Sequence, residues 1–315
     1  MFENFANVWT IVGLAKELKR DKPLSMTIAS ERVVFFRDAS GAPAALIDRC
    51  PHRGVALSLG CVSDGEIECP FHGWRFSGDG SNLRTPWNPD SKRENLSAIA
   101  LPAREAAGLL WLYTAPAPAP DEPYPSSSLL APGVSVTARS FLWRAHWTRV
   151  MENMLDTPHV PFVHRRTIGR ELRKFVGGRM DVIWEERDYG AHVAAKVDGE
   201  GRPGALDYRF PNTMELILDP PGRLFRLMAV CIPVSDTETR LILLTLRSFL
   251  RSPLLDPLFW WMNRRIAEED RAIVESSLPI QVPSPGDEAS VRTDAATLAF
   301  RRLYRQRLLG SHAER

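Results

Sequence analysis

Two short loops, Cys50-Pro51-His52 and Cys69-Pro70-Phe71-His72, constrain this chain more than any other feature of it. Each supplies one thiolate and one imidazole, so all four donors are used only if the two loop tips meet around one inorganic centre. Two thiolates suit one iron of a 2Fe-2S cluster and two imidazoles suit the other. Replacing two thiolates by neutral histidines makes such a cluster less negative and raises its reduction potential. Pro51 and Pro70 stiffen the loops, while Gly54 and Gly73 allow the backbone to close tightly around sulfur. A Cys2His2 zinc site uses the same residue types. Zinc pairs, however, usually set like beside like, whereas each loop here mixes one Cys with one His, which favours the cluster.

The rest of the chain is large enough to give that centre a use. With 315 residues it can bury a sizeable core and holds two domains of ordinary size. Forty Lys and Arg against 38 Asp and Glu leave a net charge of +2, which gives no general attraction to nucleic acid. The basic group Arg301, Arg302, Arg305 and Arg307 is expected on the solvated face of a terminal helix. Beyond Cys50 and Cys69 only Cys61 and Cys231 remain; both are expected as buried small apolar residues, and a reducing, cytoplasmic compartment follows. The N-terminal segment does not resemble a secretory signal, and no run approaches a membrane span of about 18 apolar residues. The apolar stretch Pro253 to Met262 is expected as the buried start of a helix.

From about Met26 to Tyr113 the pattern is of short strands and turns. Val33–Phe36 and Ala44–Ile47 flank the turn Asp38-Ala39-Ser40-Gly41, and Trp74–Phe76 precedes the turn Ser77-Gly78-Asp79-Gly80. A last apolar strand ends at Tyr113. Alternating Ala-Pro then marks an extended connector. The expected division is residues 1–115 as a cluster-bearing antiparallel β domain, 116–127 as the connector and 128–315 as a second, α+β domain. Within the latter, residues 145–175 read as helical, 180–250 as strands and 257–278 as helix again.

The segment Asn153 to His164 concentrates an amide, a carboxylate and two imidazoles. Two His and one carboxylate on one face bind ferrous iron and leave coordination positions open. Here the chain resembles the Rieske non-haem iron oxygenases in their terminal oxygenase component, whose pattern N-x-x-D-x-x-H-x(3-4)-H is matched by Asn153, Asp156, His159 and His164. The two motifs together, in this order, are far more specific than either alone.

The resemblance implies a helix-grip catalytic domain and a mononuclear Fe(II) held by His159, His164 and a carboxylate on a later helix. Asp270 is that expected third ligand, with Glu269 the alternative. It implies a head-to-tail homotrimer in which His72 of one protomer meets Asp156 of the next, with Asn153 a polar neighbour of the iron. By the same resemblance, electrons would come from a separate NAD(P)H-dependent reductase, with or without a ferredoxin. The short length resembles the homotrimeric monooxygenase and demethylase branch. An apolar substrate is expected against strands at 205–250, with Met214, Leu216, Leu227 and Met228 among its contacts. The competing reading is a Rieske electron carrier fused to a ligand-binding domain, with no oxygen chemistry.

Overall fold

A computed structural model describes residues 1–116, 118–199, 204–284 and 286–310. Ala117, within the expected connector, lies outside the described residues. The chain divides into two compact units, Met1–Pro125 and Ser126–Arg315.

The first unit is built from eleven strands in three antiparallel sheets. β1 (Trp9–Leu14), β10 (Ala103–Ala106) and β11 (Leu109–Tyr113) form one, with β11 central. β2 (Leu24–Ile28), β3 (Glu31–Arg37), β4 (Pro43–Ile47) and β9 (Ala100–Leu101) form the second, in which β3 and β4 pair across the Asp38–Gly41 turn as their sequence requires. β5 (Cys61–Ser63), β6 (Glu66–Glu68), β7 (Arg75–Phe76) and β8 (Asn82–Arg84) form the third. Val62 and Ile67 face each other and bury, so period-two alternation turns Cys61 outward. The expectation of a buried Cys61 is therefore wrong: it is exposed, while Cys231 is fully buried. Cys50 and Cys69 lie in one apolar cluster with Val34, Phe36, Leu46, Leu57, Ile67 and Phe76. The ligand loops are thereby fastened to the core at their first residues.

The second unit is α+β, as expected. A short helix, α1 (Ser127–Leu130), leads into β12 (Ser135–Trp143) and the helices α2 (Trp147–Leu155) and α3 (Val160–Val163). Then follows a meander: β13 (Met180–Arg187), β14 (Gly190–Val197), β15 (Gly204–Arg209), β16 (Thr213–Ile217), β17 (Phe225–Ser235) and β18 (Glu238–Arg247). β12 closes the row by pairing with β18, giving a seven-stranded antiparallel sheet in the order β12-β18-β17-β16-β15-β14-β13. α4 (Asp256–Val274) and α5 (Ala295–Tyr304) complete the unit. Residues 145–175 are less continuously helical than the sequence suggests, because Asp156–Pro158 interrupts α2 from α3. Among the described residues no helix is long and apolar enough to cross a membrane.

Aromatic contacts seat α2. Trp147 meets Phe300 and Tyr304 edge-on at 6.0 and 5.4 Å, and Phe300 meets Tyr208 of β15 at 5.7 Å. Each such pair adds about 0.5–1.5 kcal/mol beyond its buried area. Beside them Arg149 and Arg301 interleave with Glu152 and Glu288: Arg149 lies 3.2 Å from Glu152 and 2.6 Å from Glu288, and Arg301 binds both carboxylates. Arg301 thus corrects the expectation of a wholly solvated basic face, for it is buried while Arg302 is exposed. The start of α4 is a second correction. Phe259, Asn263, Ile266, Ala267 and Asp270 lie on its buried stripe and Trp261 off it at 64% exposure, while Leu254, in the 3-10 turn before the helix, is 89% exposed.

Candidate metal centres

The two cysteine loops share one backbone design. In the first, Cys50 N–H donates to Val55 O at 2.8 Å and Gly54 N–H to Cys50 O at 2.9 Å. In the second, Cys69 N–H donates to Trp74 O at 2.8 Å and Gly73 N–H to Cys69 O at 3.0 Å. Gly54 and Gly73 adopt φ of +73° and +69°, where a Cβ is strained, so glycine closes both turns. The histidine comes two residues after cysteine in one loop and three after it in the other. His52 consequently stacks flat on Trp74, with centroids 4.6 Å apart and planes 2° apart, whereas His72 is exposed. The two imidazoles lie 4.7 Å apart.

The donor chemistry fits a cluster. Burial and the neighbouring Cys69 push the Cys50 thiol up to about 11, so a bare Cys50 thiolate is unfavourable there and a bound cation would relieve it. Burial and the neighbouring His72 hold the His52 imidazole below its ordinary value, in the neutral form that binds metal. His52 Nδ1 is buried and has no hydrogen-bond partner. An orphaned acceptor of this kind calls for a ligand.

The second centre begins at His146, which caps α2 by accepting the Thr148 N–H at 3.3 Å. α2 ends at Asp156, and His159 and His164 then cap the two ends of the single-turn helix α3. One turn between two histidines five apart brings their rings to 5.3 Å. α4 delivers Asp270 from over one hundred residues downstream. Asp270 Oδ1 lies 3.1 Å from His164 Nε2 and 3.5 Å from His159 Nε2, and one donor atom from each residue falls within 4.8 Å of the others.

A second layer of carboxylates orients both imidazoles. Asp156 Oδ2 is 3.2 Å from both the backbone N and Nδ1 of His159. Glu269 Oε2 is 3.0 Å from His164 Nδ1 and also accepts from Thr167 Oγ1 at 2.6 Å. With each Nδ1–H committed to a carboxylate, each Nε2 turns its lone pair to the common centre. Asp270 Oδ1 is buried there without a hydrogen bond. Burial alone would lower the His164 pKa, yet Asp270 and Glu269 on its two nitrogens hold it above the ordinary value. Burial likewise would raise Glu269, but Thr167, His164 and Arg265 keep it below the usual carboxylate range. Two acceptors and a carboxylate converging in a buried spot fit a divalent cation.

The sequence placed Asp270 first and Glu269 second, and the geometry separates them: Asp270 faces both Nε2 atoms, Glu269 backs one ring. Asn153 stands on the last turn of α2, its Nδ2 buried without a partner. The roles of Trp74, Thr167 and Glu269 as supports were not visible in the sequence. Only the E-D pair at the helix face hinted at the last of these.

A cavity of about 670 Å³ opens from this centre. Asn153, Asp156, His159, His164 and Asp270 form one end. Its wall is largely aliphatic and includes Met214, Leu216, Leu227 and Met228, the four residues expected there. Strand register explains the surface: Met214 opposes Ala229, Leu216 opposes Leu227, and Ala229 opposes Leu243, so these residues share one face of the sheet.

Comparison with known proteins finds two domain families along the chain. The Rieske 2Fe-2S domain family matches residues 8–97, and the vanillate O-demethylase oxygenase C-terminal domain family matches 143–213 and 204–309. Chlorophyllide a oxygenase of Chlamydomonas reinhardtii is 28% identical over 92% of this chain and 47% of its own length. The oxygenase subunit of tert-butanol monooxygenase / tert-amyl alcohol desaturase from Aquincola tertiaricarbonis is 36% identical over 52% of this chain and 35% of its own. The chain spans about half the length, or less, of the curated relatives it matches first. Among solved structures, NdmA of Pseudomonas putida CBB5 superposes with a TM-score of 0.84 at 24% identity, covering 98% of this chain and 92% of that one. Dicamba monooxygenase superposes at 0.82 with 21% identity, covering 98% of both. These two share its fold.

Proposed function

Because this chain belongs to the Rieske oxygenases, with a C-terminal half of the vanillate O-demethylase type, we propose that it hydroxylates or oxidatively demethylates a small apolar molecule with dioxygen. The observation that carries this reading is the convergence of His159, His164 and Asp270 at one end of an apolar cavity, in a chain that also bears the cluster loops. We read Cys50, His52, Cys69 and His72 as the holders of a 2Fe-2S cluster. His159, His164 and Asp270 are the ligands of a mononuclear Fe(II). When bound, the cluster passes single electrons and the iron, with two histidines and one carboxylate, offers open positions for oxygen chemistry.

The chain's own residues prepare the ground for that chemistry. Asp156 and Glu269 hold the Nδ1 protons of His159 and His164 and so fix which nitrogen faces the metal. The aliphatic wall positions the substrate and excludes water, which strengthens every charge interaction inside. Asn153 sets an amide beside the metal end. The exposed edge of His72 suits electron exit, and Asp156, already bonded to His159, suits its reception. These supports favour a homotrimer in which the His72 of one protomer meets the Asp156 of the next. A separate NAD(P)H-dependent reductase, with or without a ferredoxin, supplies the electrons. The free cysteines support a reducing, cytoplasmic setting.

The test is an iron count. The cluster accounts for two irons per chain and the proposed centre for a third. His159→Ala should lose the third iron and turnover while keeping the cluster's absorption and paramagnetic resonance signals. Two irons in the reconstituted parent protein, unchanged by that substitution, would leave an electron carrier and refute the oxygenase.

A further inference from the structure

Far from the metal end the aliphatic part of the cavity wall carries a buried amide. Asn263 is 1% exposed and lies on the same stripe of α4 as Asp270, seven residues earlier. Two helical turns separate them, roughly 10 Å along the axis. Burying an amide in an apolar wall is costly unless its capacity is used. Thr245 Oγ1, itself fully buried on β18, donates to Asn263 Oδ1 at 2.9 Å, which fixes the amide with its oxygen turned to the strand. The nitrogen is left with one long bond, to Leu243 O at 3.5 Å, and a second N–H uncommitted. The cavity therefore presents a donor at this point.

The charges of the wall point the same way. Among the described residues no Lys or Arg lines the cavity, and its carboxylates outside the metal end are Glu171 and Asp219. Asp219 is already engaged, accepting the Phe225 N–H at 2.9 Å and pairing with Arg226 at 2.9 Å. An anionic substrate would find no side-chain cation along the wall and two acidic groups instead.

We propose that Asn263 is a specificity-determining residue, selecting neutral, mostly apolar molecules whose one hydrogen-bond acceptor, a ketone or ether oxygen, lies at the end remote from the carbon presented to the metal. Carboxylates and sulfonates are rejected. This deepens the oxygenase reading and rests on it for which end of the molecule reacts, but the recognition itself is an equilibrium property of the pocket.

It can therefore be measured without oxygen. Iron-loaded protein is titrated anaerobically by calorimetry with 1-tetralone, with tetralin, which lacks the carbonyl, and with 5,6,7,8-tetrahydro-2-naphthoate. The ketone should bind about five- to tenfold more tightly than the hydrocarbon, the worth of one buried hydrogen bond, and the carboxylate most weakly. Asn263→Leu should erase the ketone preference while still binding the hydrocarbon, which also shows that the pocket is intact. Asn263→Asp keeps the shape and the Thr245 contact but turns the donor into an acceptor, so the ketone should fall below the hydrocarbon. If the leucine variant binds neither compound, the aspartate variant decides. The proposal is overturned if either variant keeps the parent preference, if the carboxylate binds best, or if none of the three binds the parent protein. Absence of a third iron from the reconstituted parent protein would refute the oxygenase reading and leave this ratio readable.

Discussion

Replacing Glu269 tests whether the layer behind the ligands governs the metal. In Glu269→Ala the Nδ1–H of His164, a residue 2% exposed, loses its acceptor, and Thr167 loses the same oxygen. An orphaned buried donor costs about 1–3 kcal/mol. Part of that falls on the folded protein with or without metal. The part specific to the metal comes from the ring, which is free to rotate or to exchange its protons between nitrogens, and from a less basic Nε2. Loss of such a support lowers metal affinity roughly 10- to 100-fold, or about 1.4–2.8 kcal/mol. The assay is competition for Fe(II) against a chelator of known affinity, with the 2Fe-2S absorption as an internal reference that should not change. Glu269→Gln retains an acceptor without the charge and should fall between alanine and the parent. Glu268→Ala, on the exposed side of the same helix, serves as the control. Parent-like affinity in the alanine variant would refute the reasoning, because the carboxylate at 3.0 Å would then be doing nothing for the ring it faces.

Two further outcomes follow from groups away from the metal. Burial lowers the His146 pKa from 6.5 to about 4, so this helix cap stays neutral in the fold. Its unfolded form takes a proton first, so destabilisation sets in as pH falls below about 6.5 and is complete near 4, reaching about 3 kcal/mol. His146→Asn, which keeps a capping acceptor, should remove that part of the acid dependence in denaturant titrations; an unchanged pH profile would count against a neutral buried cap. Arg301→Met leaves Glu152 and Glu288 without one of their two guanidinium partners and should cost about 3–5 kcal/mol. Arg302→Met, on the exposed face of α5, should change the melting temperature little, and equal losses in the two variants would contradict the difference in burial.

How much of this could be read from the residues depends on the distance over which each feature is assembled. The cysteine loops and the Asn153–His164 segment are local, and their spacing alone carries the ligand geometry. Asp270 could be named as a candidate because the resemblance calls for a carboxylate on a later helix. What Glu269 does was not, since its partners His164 and Thr167 lie 105 and 102 residues away. β1 went unrecognised for the same reason: Trp9 to Leu14 becomes a strand by pairing with β11 near residue 110. Trp261 misled because hydrophobicity was counted without helical phase, Leu254 because it falls in the turn before the helix, and Arg301 because its neutralising carboxylates come from α2 and from residue 288. Asn263 lies in an unremarkable W-M-N-R-R stretch; only the facing strand reveals its bond to Thr245.

The assembly of the seven-stranded sheet bears on when the chain can take up metal. β12 pairs with β18, residue 135 against 247 and 143 against 239, so the first strand of the unit must wait for the last. Pairings so distant in sequence form late, after the loop entropy between them has been overcome. His159 and His164 emerge from the ribosome long before Asp270, and α4 packs on β12 and β18, the two strands that meet last. A nascent chain thus displays two imidazoles but no complete three-residue site. On the proposed reading, metal binding is thereby tied to the completed sheet, so that iron loading would mark a finished protein and a half-made one would offer the metal only a partial grip.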